Sequence, residues 1–246
     1  MNLFGSVKRI NIYSVKINNN IDTLKFRSGV RHIIHFNKKG FVKERKKYHV
    51  DSTFDSQTIY EYNEHERIIT SIRNYPNLED DTSKTLYQYK DGLLLSQKTK
   101  KLNGNFDGKM LYFYNDNRLL KEKWDYRWND SIYEKEVYEY DSNSDITKTI
   151  FYDSRGEIKS IDISTYYGNR KIKSLSVLDS TQATQQFYFY QYDYLGNRSK
   201  FITKKNNSVI EKVFIFKYDS FNNWTQRITL ENGVKTSETT QEIEYY

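Results

Sequence analysis

The chain has no cysteine, one proline (Pro76) and one alanine (Ala183) in 246 residues. Without cysteine there is no disulfide, no thiol nucleophile and no thiolate metal site, while the redox compartment stays undecided. Ala is the best intrinsic helix former, so its near-absence argues against a mainly helical fold. No apolar run is long enough for a transmembrane helix, and mean hydropathy is −0.88. No apolar stretch lies between Met1 and Lys8-Arg9, so no signal peptide is visible. That fits a cytosolic protein, and equally a secreted one whose leader was replaced by Met1.

What is abundant points to strands. There are 23 Tyr, 14 Phe and 22 Ile, residues that favour a pleated, half-buried surface. Leu, Ile, Val and Phe make up 61 residues, above the roughly 20% below which chains tend to be disordered. The net charge of +7 is uneven. Residues 1–50 hold 12 Lys/Arg against Asp22 and Glu44, a balance of +10, and the remainder carries −3. All the excess positive charge is therefore N-terminal.

A short motif recurs: aromatic, any residue, aromatic, then Asp or Asn and a turn. It reads Tyr60-Glu-Tyr62-Asn63, Tyr112-Phe-Tyr114-Asn115, Tyr138-Glu-Tyr140-Asp141, Tyr190-Gln-Tyr192-Asp193 and Phe216-Lys-Tyr218-Asp219. Weaker copies surround Phe36, Tyr89, Tyr167 and Tyr245, and successive second aromatics lie 25 to 27 residues apart. Each unit has room for two strands and two turns. The expectation is an all-β chain: a long antiparallel meander of tandem β-hairpin repeats of about 26 residues, with roughly 16–18 strands. Residues 1–30 would be capping strands and 31–246 about eight hairpin repeats, all one domain. Accumulated twist must curl such a sheet into a spiral or barrel-like shell, or fold it into two layers. A membrane barrel is disfavoured, because Val42-Lys-Glu-Arg-Lys-Lys47 would put charge on both faces.

Tyr190-Gln-Tyr192-Asp193-Tyr-Leu-Gly196-Asn197-Arg198, Tyr138-Glu-Tyr140-Asp141-Ser-Asn143 and Phe216-Lys-Tyr218-Asp219-Ser-Phe-Asn222-Asn223-Trp224 resemble YD repeats. These are the tandem units of RHS-type bacterial surface and toxin proteins. The likeness spans residues 30–246, and is nearest to small stand-alone secreted or lipid-anchored members. It implies an extracytoplasmic β-repeat protein rather than an activity. The Asp is absent at Lys90 and Gly168. The chain is too short to enclose a cargo domain as a closed RHS shell.

Few residues carry obvious chemistry. His32 and His35 are three apart, so on a strand they face opposite ways and cannot share a metal. Asn103-x-Asn105-x-Asp107-Gly108 and Asp141-x-Asn143-x-Asp145 echo a calcium loop but have Tyr114 and Tyr152 where the bidentate acid belongs. No nucleophile elbow or phosphate loop is present. The reading is no catalytic residue, no metal, no cofactor and no enzyme. Two stretches are candidates for partner binding. Trp124-Asp-Tyr126-Arg-Trp128 places three aromatics on one face of an extended segment and Asp125 with Arg127 on the other. Lys43, Arg45, Lys46 and Lys47, backed by Lys25, Arg27, Arg31, Lys38 and Lys39, form a basic run suited to an acidic partner. No nucleic-acid module accompanies it. The expected function is a non-catalytic binding or scaffold protein outside the cytoplasm, facing a protein or glycan. The alternative is an immunity protein capping a bacterial effector, in the cytoplasm or periplasm.

Overall fold

The computed structural model describes residues 3, 5–17, 28–49, 51–75, 82–103, 105–127 and 131–246. Among them the backbone forms 18 strands and no helix. The first nine are β1 Val7–Lys16, β2 Ser28–Phe36, β3 Val42–His49, β4 Phe54–Tyr62, β5 Ile68–Asn74, β6 Ser83–Lys90, β7 Leu93–Lys101, β8 Phe106–Tyr114 and β9 Leu120–Arg127. The others are β10 Ser131–Tyr140, β11 Ile146–Tyr152, β12 Ile158–Tyr166, β13 Ile172–Leu178, β14 Thr184–Tyr192, β15 Arg198–Lys205, β16 Ser208–Tyr218, β17 Trp224–Glu231 and β18 Val234–Tyr245.

All 18 belong to one sheet. In every described pair the strands run antiparallel, as in β2–β3, β8–β9, β10–β11 and β17–β18. Strand β1 pairs on one side with β2 and on the other with β18, from Val7↔Tyr245 to Lys16↔Ser237. The strand order therefore has the connectivity of a closed β-barrel rather than of a spiral. The chain divides into two compact units, residues 1–83 with 192–200 and 211–246, and residues 84–191 with 201–210.

Turn chemistry explains why the strands end where they do. At Asp141 the backbone N–H bonds to the Asp145 carbonyl at 3.0 Å and the Ser144 N–H returns to the Asp141 carbonyl at 3.1 Å. The Asp141 carboxylate accepts from the N–H groups of Asn143 and Asp145, each at 2.9 Å. Asn37, Asn63, Asp153, Asp193 and Asp219 build the same turn. A short side-chain acceptor that satisfies its own loop is what makes Asn and Asp turn residues. The fourth position is left-handed: φ is 82° at Gly156 and 64° at Ser144.

Just before these turns the register shifts by one, for instance between Glu61 and Tyr62, Glu139 and Tyr140, and Lys217 and Tyr218. There the tyrosine that ends the strand finds a partner off the ladder, and in β12 that tyrosine is Tyr166, one residue before the Tyr167 of the sequence motif. Tyr62, Tyr114, Tyr140 and Tyr166 donate to the carbonyls of Val42, Leu94, Leu120 and Ile146 at 2.6–3.0 Å. Near the end of the chain the acceptor changes. Tyr218 and Tyr245 donate to the carboxylates of Asp193 and Asp219, and receive bonds from Asn197 at 2.9 Å and Asn223 at 2.7 Å.

Full burial is sparse. Val7, Ile10 and Ile34 in the first unit, and Ile161 and Tyr190 in the second, are the buried hydrophobic side chains among the described residues. Ile10 is completely buried, in register with Ile34 on β2 and Ile243 on β18. The closing seam is thus apolar at Ile10. Lys8 and Arg9 pair with Glu244 at 2.6 and 3.0 Å.

Candidate functional site

Strands β8, β9 and β10 assemble an aromatic cluster within the second unit. Register sets Leu111 opposite Trp124, Lys109 opposite Tyr126, and Trp124 opposite Lys135. Trp124 and Tyr126 share a face because they are two apart on a strand, and their rings lie 6.4 Å apart. Phe113 closes on Trp124 at 5.2 Å and keeps 41% of its surface exposed.

Cations frame these rings. The Lys135 ammonium sits 5.6 Å from the Trp124 ring and Lys109 sits 4.9 Å from that of Tyr126, within range of a cation–π attraction. The Trp124 indole N–H donates to Glu122 at 2.8 Å, and Lys135 pairs with Glu122 at 3.4 Å. Burial works against the Glu122 charge, but the indole N–H and the Lys135 ammonium outweigh it, so its pKa falls below the ordinary value. Glu122 thereby fixes the Trp124 rotamer and orients a flat ring beside partly exposed Phe113.

On the opposite face Asp125 and Arg127 stand 3.8 Å apart. Burial raises the Asp125 pKa, and Arg127 and Lys123 hold the rise in check. The third aromatic of the segment, Trp128, lies outside the described residues.

The basic run is divided by strand alternation. Arg45 and Lys47 are in register with Ile34 and His32 on β2, whereas Lys46 is in register with Ile33. Lys43 and Arg45 are exposed. Lys46 pairs with Glu44 at 3.3 Å, and Lys47 with Asp55 at 3.1 Å. The strand therefore sets Lys43, Arg45 and Lys47 on one face, with Lys47 paired to Asp55, and Lys46 beside Glu44 on the other. His32 has its pKa lowered by burial and then by Lys47 and Arg45. Lys39 pairs with Glu66 at 3.0 Å, and Arg31 lies over the rings of Tyr13 and Tyr48 at 5.3 and 5.6 Å. Lys25 and Arg27 lie outside the described residues.

Among the described residues no group of three His, Asp or Glu side chains is placed to hold a metal. The Asp141 stretch is occupied by its own turn, and Asp145 is engaged by Arg170 at 2.8 Å.

Phe113, Lys109, Lys135 and Glu122 were not singled out in the sequence. One signal was available for Phe113. It fills the middle of an aromatic motif where other copies carry Glu61, Gln88, Glu139, Gln191 or Lys217. The remaining three reach the cluster through register.

No family model matches this chain, and no curated protein matches it. Solved structures do. A porin-like protein from Bacteroides uniformis ATCC 8492 aligns over 98% of this chain and 99% of its own, with a TM-score of 0.52 and 12% identity. A porin-like protein from Bacteroides vulgatus ATCC 8482 aligns over 80% of this chain and 96% of its own, with a TM-score of 0.45 and 12% identity. The TcdB2-TccC3 complex aligns over 95% of this chain but 16% of its own, with a TM-score of 0.34 and 11% identity. The first of these shows the fold: an all-β closed antiparallel meander. Among the described residues no helix is long and apolar enough to cross a membrane.

Proposed function

We propose that the protein is a non-catalytic binding or scaffold protein that acts outside the cytoplasm and presents the Phe113–Trp124–Tyr126 face to a protein or glycan partner. The observation that carries this reading is the in-register grouping of three aromatic rings with Lys109 and Lys135 beside them. Rings of this kind stack on sugar faces and anchor protein interfaces, while flanking charges orient the encounter. The YD-like motifs and the porin-like fold support an extracytoplasmic setting.

The test is binding of purified protein to an immobilised glycan panel and to extracellular protein fractions, with wild type compared to a Trp124→Ala, Tyr126→Ala pair. A ligand of this face should lose at least about tenfold in affinity on the double variant, as truncation of an interface anchor does. Ligands that bind both proteins alike place the binding surface elsewhere.

A further inference from the structure

The first unit contains a cleft of ≈ 410 Å³ between the β14–β15 turn and strands β16 and β17. Its charged lining residues are Arg198 and Arg227, with Phe214, Phe216 and Trp224 supplying flat walls and no carboxylate among the lining side chains. Arg227 is the unusual member. Its guanidinium carbon lies 5.7 Å from the Phe214 ring and 5.8 Å from the Trp224 ring. One terminal nitrogen reaches the Thr239 hydroxyl at 3.4 Å, and Nε is buried with no hydrogen-bond partner. Among the described residues no carboxylate pairs with it. Burial alone lowers its pKa from the ordinary value, yet an arginine side chain stays protonated in proteins.

A partly desolvated cation without a counter-charge carries a cost, and structures normally pair such groups. Here the missing partner has an open cleft to arrive by. The guanidinium fork matches a carboxylate in two-point geometry. Beside it the Trp224 and Phe216 rings, 6.2 Å apart at 62°, form an angled wall. The backbone carbonyl of Trp224 accepts a hydrogen bond from the Gln241 side-chain amide. The volume lies within the range typical of small-molecule pockets.

We propose that this cleft binds a small carboxylate borne on a six-membered ring, with Arg227 taking the carboxylate and Trp224 and Phe216 taking the ring face. Two sources share that chemistry, a uronic acid sugar and an aromatic acid. The site is separate from the Trp124 cluster, and its test stands apart from that reading.

The experiment is calorimetric titration of the intact protein with D-glucuronate and with benzoate, alongside glucose, benzyl alcohol and inorganic phosphate. The expected result is saturable binding of one carboxylate, at least about tenfold tighter than its neutral counterpart and than phosphate. Glucuronate as the tighter ligand assigns an acidic sugar, and benzoate an aromatic acid. Arg227→Gln should lose at least about tenfold, and Arg227→Lys, which keeps the charge but not the fork, should fall between. Absence of saturable binding by either carboxylate overturns the proposal. So does equal binding by Arg227→Gln, or by phosphate. Should Arg227→Gln fail to fold, the wild-type comparison of each acid with its neutral counterpart decides alone.

Discussion

The Tyr140 hydroxyl donates to the Leu120 carbonyl at 2.6 Å, although the two residues end adjacent strands where their ladder has already stopped at Val137↔Glu122. The phenol satisfies an acceptor that the neighbouring backbone no longer reaches. Tyr140→Phe keeps the ring and removes only that bond. It should cost about 1 kcal/mol, read as a drop of roughly 2–4 °C in melting temperature for a chain of this size. No change on melting would mean that water replaces the phenol without loss.

The left-handed turn position gives a paired test. Ser144 holds φ at 64° without being glycine, whereas Gly156 holds 82° and an added Cβ there would meet nothing within 4 Å. The left-handed region costs an L-residue roughly 1–2 kcal/mol, partly offset by the greater chain entropy of glycine. Ser144→Gly should therefore stabilise by about 0.5–1 kcal/mol, and Gly156→Ala should destabilise by a similar amount. Urea unfolding of both variants checks the opposite signs. Shifts in the same direction would refute the backbone argument.

Asp162 should be a source of pH dependence. Its pKa is raised, first by burial and then by Glu136, so the folded state disfavours its charged form. Above its raised folded value it is ionised in both states and the folded chain bears the penalty. As pH falls through the raised folded value toward the ordinary carboxylate range, the folded state takes up the proton first and the penalty disappears. Asp162→Asn should thus raise the melting temperature at pH 7, with the gain fading in acid. A gain that persists unchanged at pH 3 would point to packing rather than charge.

Ile10 is fully buried where β1 meets both β2 and β18. Ile10→Ala should cost about 2–5 kcal/mol, and Ile10→Val about 0.5–1.5 kcal/mol, the usual range for core truncations. Denaturant unfolding separates the two. Near-equal, small losses would show that the seam collapses around the cavity.

The strands and turns were legible because their signals are local. Asp141 and Asp219 announce turns that close on themselves, and Trp124 and Tyr126 share a face by alternation alone. Alternation also divides Lys43, Arg45 and Lys47 from Lys46, so the split of the basic run was within reach. The pairing of Lys47 was less so, since Asp55 arrives from β4 across a register shift between Lys47 and Tyr48. Each bulge moves the partner list by one residue, which is why the neighbours of Trp124 escaped the sequence. Arg227 is the plainest case. Its isolation depends on which side chains do not approach it, and no spacing rule reports that.

The β1–β18 seam joins segments more than 200 residues apart. During synthesis β1 would emerge with only β2 to pair with, and its other edge would wait until β18 is made. A half-finished chain therefore carries open hydrogen-bonding edges, the kind of surface on which a second copy can dock. Long-range pairing of this sort is also slow to form. The same contact that leaves the finished sheet without a free strand at its seam makes the time before closure the most hazardous stage in the life of the molecule.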